Sequence, residues 1–167
     1  MLKMMNKSVL TLLCLLSIGT SLAQVTQKTK CDGMMVDILD GKVNRTRPDY
    51  TPDRIKLDLP CFTSSEDESD SAKCGGFIEY KDKDLIFYTA KDYVEVGPKY
   101  NGGWTIRLMG AKKGTLFNQL GNPGLRATDM EGYQTAYGTL LLYYDTKGMV
   151  RLVRMVTKPI GLISLCE

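Results

Sequence analysis

Four cysteines that follow an export signal constrain this chain more than any other feature of its sequence. Residues 1–23 carry two lysines and no acid, continue as an apolar stretch, and end in Ser21-Leu22-Ala23. This order is typical of a cleaved secretory signal peptide. We therefore expect an exported protein, periplasmic or extracellular, with residues 24–167 as a single mature domain. In an oxidising compartment, an even number of cysteines predicts disulfide bonds.

The four cysteines of the expected mature chain predict two disulfides, with three pairings open. We favour Cys61–Cys74, which would close a short polar loop, and Cys31–Cys166, which would tie the start of the domain to its end. Zinc binding is the alternative, but the chain has no histidine and no Cys-x-x-Cys spacing. Structural zinc sites are built from such ligands. We expect no metal site and no cofactor.

The charge balance argues against nucleic acid as a partner. Without Lys3 and Lys7 of the signal, the 22 basic residues become 20 against 19 acidic ones, a net charge of +1. Nucleic-acid binding needs basic patches, usually with interleaved aromatic residues, and none is evident. No apolar run after the signal approaches the length that crosses a bilayer, so we do not expect the mature chain to span a membrane. We expect a protein partner.

Turn residues and alternating apolar residues predict a fold that is mostly strand. The clearest signal is a hairpin of Thr139–Tyr144 and residues 149–157 around a turn at 145–148, with Val150 and Leu152 on one face. Thr51 and Pro52 predict the start of a short helix, and a second helix is expected over residues 112–120. Further strands are expected over 77–80, 85–89, 93–96 and 104–109. The fold class is α+β with a mainly antiparallel sheet.

The two halves of the domain show a weak internal similarity. An offset of 63 residues places Pro60 on Pro123 and Tyr80 on Tyr143, and several apolar positions match as well. Candidate half-repeats are residues 37–97 and 98–157. A duplication of this kind would mean two tandem helix–strand–strand units.

Two segments carry a resemblance to a known fold. These are residues 116–123, Leu-Phe-Asn-Gln-Leu-Gly-Asn-Pro, and the weaker residues 55–60. A helix that stops at Gly and Pro before consecutive antiparallel strands, twice in one exported chain, resembles the tandem fold of the β-lactamase inhibitor proteins. The single unit is similar to that of small outer-membrane assembly lipoproteins. The resemblance implies a fold for residues 37–157 and no functional residues, and the first half lacks the Gly before Pro60.

Catalytic residues are hard to find, and we do not expect an enzyme. Without histidine, a serine nucleophile would need a lysine as base, and the mature chain has no Ser-x-x-Lys. The cysteines are expected to be paired. Acidic residues from distant strands could still meet and serve a carboxylate-dependent hydrolase, and the candidates are Glu79, Glu95, Asp129 and Glu131.

Aromatic residues are the better indication of a site. Tyr93 and Trp104 flank a Gly-rich loop at residues 97–103 that contains Tyr100, and Tyr133 and Tyr137 lie in the second half. Tyr and Trp are favoured anchors of protein interfaces, although they are also common in sheets. We expect these five residues to bind a protein partner. The leading hypothesis is an inhibitor or immunity-type protein that occupies a toxin or hydrolase, and the alternative is a non-enzymatic envelope assembly module.

Overall fold

The computed structural model of the protein describes residues 33–166, which form two sheets and two α-helices. The predicted signal peptide and Cys31 lie outside these residues. A small sheet has the order β2-β1-β7 and contains β1 (Met35–Asp37), β2 (Lys42–Val43) and β7 (Gly103–Trp104). The large sheet contains β3 (Ser64–Glu66), β4 (Phe77–Tyr80), β5 (Leu85–Tyr88), β6 (Tyr93–Val96), β8 (Leu125–Arg126), β9 (Met130–Gln134), β10 (Thr139–Tyr144) and β11 (Val150–Val156).

The large sheet is built from two consecutive four-stranded meanders. Its order is β3-β4-β5-β6-β11-β10-β9-β8, and every neighbouring pair is antiparallel. The meanders join where the last strand of each half meets the other, with Val153 opposite Val96 and Arg154 opposite Glu95. The predicted α+β class with a mainly antiparallel sheet is confirmed.

A short helix precedes each meander, and local capping explains the first. Helix α1 (Pro52–Asp58) begins at the predicted cap, where the Thr51 hydroxyl accepts a hydrogen bond from the Arg54 N–H. Pro52 occupies the first turn, where its missing N–H costs nothing. Ile55 is buried while Leu57 is 63% exposed, as expected for a helix with one apolar face. Helix α2 (Phe117–Leu120) is shorter than the predicted 112–120.

The internal duplication stays a prediction. An offset of 63 residues aligns α1 with α2, but it then places β4 on β10. Counted outward from the junction of the meanders, β4 corresponds to β9 instead. The spacing between strands therefore differs in the two halves, and a single offset cannot align all of them.

The core lies between one face of the large sheet and the elements that cover it. Alternate residues of the strands point into this core, among them Phe87, Val94, Leu142 and Val153. Ile55 of α1 and the buried residues Met34, Val36, Ile38 and Val43 of the small sheet and its flanks pack on them. Burial of these apolar side chains is the main stabilisation that such a sheet receives.

Two details of the strands differ from the prediction. The expected strand over residues 104–109 is wrong, because only Gly103–Trp104 pairs, as a short parallel partner of β1. The expected shared face of Val150 and Leu152 is also wrong, because a bulge shifts the register between Tyr143 and Tyr144. A bulge adds one residue to one strand and so changes which face the following side chains occupy.

The disulfide pairing differs from both predicted bonds. Cys74 is bonded to Cys166 across 92 residues of chain, with their Cα atoms 5.4 Å apart. This bond excludes Cys61–Cys74 and Cys31–Cys166. Cys61 is disulfide-bonded as well. Its partner is neither Cys74 nor Cys166, because these two are bonded to each other. The polar loop before Cys74 thus ends at a crosslink to Cys166 instead of closing on itself.

Residues 158–166, which we call the C-terminal strap, cross one end of the large sheet. The strap begins after β11, where the carbonyl of Lys158 accepts a hydrogen bond from the Thr139 hydroxyl at 2.8 Å. It ends at Cys166, whose N–H donates to the Tyr93 hydroxyl at 3.2 Å. Ile163 and Leu165 pack on a small buried cluster along the way. The disulfide therefore holds a segment that covers part of the sheet.

Candidate functional site

The face of the large sheet opposite the core, which we call the open face, carries aromatic and charged side chains in cross-strand rows. One row runs Glu79, Ile86, Glu95, Arg154 and Leu141 across five adjacent strands. Leu141 is buried in the small cluster on which the C-terminal strap packs. The other four residues are partly exposed. The neighbouring rows add Phe77, Tyr88, Tyr143 and Leu152.

Arg154 lies at the centre of the open face, on the strand where the two meanders join. Its Nε donates to Glu95 Oε2 at 2.7 Å and its Nη1 donates to the Tyr143 hydroxyl at 2.9 Å. Its guanidinium lies over two rings, 5.4 Å from the Tyr93 centroid and 4.9 Å from the Tyr143 centroid. Burial alone would lower the pKa of Arg154, but the charge of Glu95 and their hydrogen bond raise it above its usual value. The side chain is thus a fixed cation.

Beside this centre, a pocket of about 210 Å³ lies over β4 and β5. We call it the Tyr88 pocket, and it is lined by Phe77, Glu79, Ile86 and Tyr88. The Ser64 hydroxyl donates to Glu79 Oε2 at 2.7 Å, which fixes the carboxylate. The Tyr88 ring is stacked on Tyr93 at a centroid distance of 4.6 Å. Burial, and then the charge of Glu95, raise the pKa of Tyr88, so its hydroxyl stays neutral at physiological pH.

Tyr93, the first of the predicted binding residues, is fully buried. It lies on the same side of the sheet as Tyr88 but beneath the end of the C-terminal strap. A partner that docks on the folded surface would therefore meet Tyr88 and the strap before it met Tyr93.

Tyr100 and Trp104 form one aromatic pair at the loop where they were predicted to act. Their rings meet edge to face with centroids 5.2 Å apart. Tyr100 is only 8% exposed, and its hydroxyl donates to the Met34 carbonyl at 2.8 Å. Trp104 keeps partial exposure and lines a cavity of about 370 Å³ with Pro98 and Arg107, among others. Of this pair, Trp104 is the residue that a partner can reach.

Tyr133 and Tyr137 lie far from the open face. Tyr133 is buried on the core side of β9, where its hydroxyl donates to Glu131 Oε2 at 2.9 Å. The Tyr144 hydroxyl donates to the same oxygen at 2.6 Å. Burial, and then the hydrogen bond to Glu131, raise the pKa of Tyr133 to about 12. Tyr137 packs against Gly41 beyond the strands. The five predicted residues do not form one surface, and their role in binding stays a prediction.

The candidate carboxylates are not gathered in one place either. Glu79 and Glu95 share the open face, with Ile86 between them. Glu131 lies on the opposite side of the sheet with the two tyrosines, and Asp129 lines a separate depression with Lys113. Within residues 33–166, no group of three or more Cys, Asp or Glu residues is arranged to hold a metal ion.

The residues that dominate the open face are not among the predicted site residues. Phe77, Ile86, Tyr88 and Arg154 lie in segments that the sequence predicts only as strands. A signal existed, since Glu79 and Glu95 are each the single charged residue of an otherwise apolar or aromatic strand. Polar residues at alternate positions of adjacent strands indicate the solvent side of a sheet, and this pattern could have located the face.

Comparison with known proteins adds no relative. The chain matches no protein-family model, and it has no significant match among curated proteins or among solved structures. In the described part of the chain, none of the helices has the length and apolar character needed to cross a bilayer. The site must therefore be interpreted from its own geometry.

Proposed function

We propose that this chain is an exported binding protein that inhibits or neutralises a protein partner. The observation that supports it is the open face, an antiparallel sheet surface that carries Phe77, Ile86, Tyr88 and Tyr143 together with a fixed Glu95–Arg154 ion pair. Aromatic residues and arginine are the residues that dominate binding energy at protein interfaces. Each inner strand of the sheet is paired with a neighbour on either side, and this pairing holds the face rigid. Binding therefore orders few side chains and costs little conformational entropy.

The open face is the better candidate surface because three of the five predicted aromatic residues are buried. Tyr93, Tyr100 and Tyr133 are at most 8% exposed. Trp104 is the accessible residue of the predicted loop, and it defines a second surface that can be tested against the first. A catalytic role is less well supported, because the candidate acids lie on different sides of the sheet.

The test compares two single substitutions in one capture experiment. Oxidised protein is immobilised and exposed to envelope and secreted fractions of its own source and of neighbouring strains, and bound proteins are identified by mass spectrometry. Tyr88→Ala removes an aromatic ring from the open face, and Trp104→Ala removes one from the loop. We expect Tyr88→Ala to weaken partner binding by about 2 kcal/mol, roughly thirtyfold in Kd, as for an interface hot spot.

Each variant serves as the control for the other, and near-ultraviolet circular dichroism confirms that both stay folded. Loss of the partner with Trp104→Ala alone would move the site to the predicted loop. A captured hydrolase or toxin whose activity falls on binding supports the inhibitor function. A resident envelope protein that is bound without inhibition would instead support the assembly alternative.

A further inference from the structure

The Tyr88 pocket combines two aromatic rings with one carboxylate. Phe77 and Tyr88 are cross-strand neighbours, and Glu79 and Ile86 form the next cross-strand pair. All four side chains are partly exposed. Glu79 accepts a hydrogen bond from Ser64, and none of the ion pairs among the described residues includes its carboxylate. Its remaining acceptor positions face the pocket or solvent.

The same sheet shows which group such a combination holds. Two strands away, the Arg154 guanidinium lies over the rings of Tyr93 and Tyr143 and donates to Glu95. That arrangement is also two aromatic rings and one glutamate on the open face, and it is filled by a side chain of the protein itself. Glu79 and Glu95 lie in one cross-strand row, on either side of Ile86. The Tyr88 pocket has the same combination of two aromatic rings and one glutamate, but none of the described residues places a cation in it.

We propose that the Tyr88 pocket binds an arginine side chain of the protein partner, with its guanidinium over the Tyr88 and Phe77 rings and its N–H groups donating to Glu79. The inference rests on the proposed binding function and names the group that the open face recognises. A planar guanidinium stacks on aromatic rings and donates two parallel hydrogen bonds to a carboxylate, which a lysine ammonium cannot do. A pocket of about 210 Å³ is large enough for one such side chain.

The charges around the pocket favour a cation over an anion or a neutral group. Glu79 supplies the negative charge, and Glu95 adds to it although Arg154 neutralises much of its effect. The ring faces of Phe77 and Tyr88 are also electron-rich. An aspartate or glutamate of a partner would be repelled here, so the pocket also selects against partners with an acidic residue at this position.

The test uses a small probe, so that it needs no partner. Uniformly ¹⁵N-labelled oxidised protein is titrated with Nα-acetyl-arginine amide at constant ionic strength, and amide chemical shifts are followed. We expect saturable shifts confined to Phe77–Tyr80 and Leu85–Tyr88. Nα-acetyl-citrulline amide, which has the same shape without the charge, should bind at least about threefold more weakly.

Three variants complete the experiment. Glu79→Gln keeps the size and the hydrogen bond with Ser64 but removes the charge, and it should weaken arginine binding at least about threefold. Tyr88→Leu removes the ring face and should weaken it as well. Glu68→Gln makes the same chemical change as Glu79→Gln at an exposed position outside the pocket and should leave binding unchanged.

Equal responses to arginine and citrulline, unchanged binding by Glu79→Gln, or shifts centred on another part of the sheet would each overturn the proposal. An equally strong response to Nα-acetyl-lysine amide would overturn the assignment to a guanidinium. These failures are separable from failure of the binding function. A partner captured through Tyr88 while the titration fails keeps the function and removes the arginine, whereas a positive titration without a captured partner keeps the pocket.

Discussion

Loss of the Cys74–Cys166 disulfide should strongly destabilise this protein. The bond closes a loop of 92 residues that contains both strands of the meander junction and the whole second meander. A crosslink stabilises mainly by restricting the unfolded chain, and the effect grows with the length of the closed loop. For a loop of this length the loop-closure entropy amounts to about 4.6 kcal/mol at 25 °C.

Removing the bond should weaken few contacts of the folded state, whereas it gives the unfolded chain much more conformational entropy. The strap keeps its apolar contacts through Ile163 and Leu165 when the bond is absent, so the sheet itself need not rearrange. We therefore expect the Cys74→Ala/Cys166→Ala protein to fold, with its free energy of unfolding lower by about 4 kcal/mol. For a chain of this size, that corresponds to a fall in Tm of roughly 10–20 °C.

Equilibrium urea unfolding, followed by far-ultraviolet circular dichroism and by the fluorescence of the single tryptophan, measures this difference. Ser164→Ala is the matched control, because it removes the hydrogen bond between Lys91 and Ser164 in the strap and keeps the crosslink. We expect the control to lose less than about 1 kcal/mol. A loss below about 1.5 kcal/mol in the double variant, with an unchanged denaturant slope, would refute the entropic reasoning.

Two further results follow from the packing. Gly41→Ala should destabilise the protein by about 2 kcal/mol or more in thermal unfolding, because a Cβ there collides with the Tyr137 ring. Gly114 also has a positive φ but faces open space, so Gly114→Ala should cost only about 1 kcal/mol. Equal losses of stability in the two variants would contradict the reasoning. Eight of the nine tyrosines have raised pKa values, chiefly through burial. Absorbance at alkaline pH should therefore rise much less near pH 10 than in the denatured protein. Because each folded-state pKa lies above the unfolded value, stability is complete below pH 10 and declines as the pH rises towards about 12, the pKa of Tyr133.

Local chemistry made some elements predictable. The hairpin of β10 and β11 follows from its turn, where Asp145 accepts hydrogen bonds from the backbone of Lys147 and Met149, and Gly148 adopts a φ of 74°. Helix α1 likewise follows from the Thr51 cap. These features depend on residues a few positions apart, so one sequence is enough to recognise them.

Features that depend on distant segments of the chain could not be predicted from local residue patterns. The bond of Cys74 to Cys166 requires the strap to cross the sheet, and that path exists only once the two meanders have joined. Composition near Cys74 gave no information about it.

Which face of each strand is buried could not be predicted either, for a different reason. Residues 85–88 read Leu-Ile-Phe-Tyr and residues 140–144 read Leu-Leu-Leu-Tyr-Tyr, so apolar residues occupy both faces. Alternation cannot then say which face is the core. Tyr93 illustrates the result, since it has the parity of the open face but is covered by a segment about 70 residues further along the chain.

The edges of the large sheet favour side-chain contacts over strand addition for the proposed partner. An exposed edge strand can bind a partner by adding a strand, through its free backbone groups. Here the outer strands are β3 and β8, with three and two residues, which offer too few backbone groups for stable strand addition. The open face offers side chains in place of backbone groups, and it carries charges of both signs at Glu79, Glu95 and Arg154. A partner that places a cation at Glu79 and avoids a second cation near Arg154 would complement these charges, which is a more selective requirement than apolar contact alone.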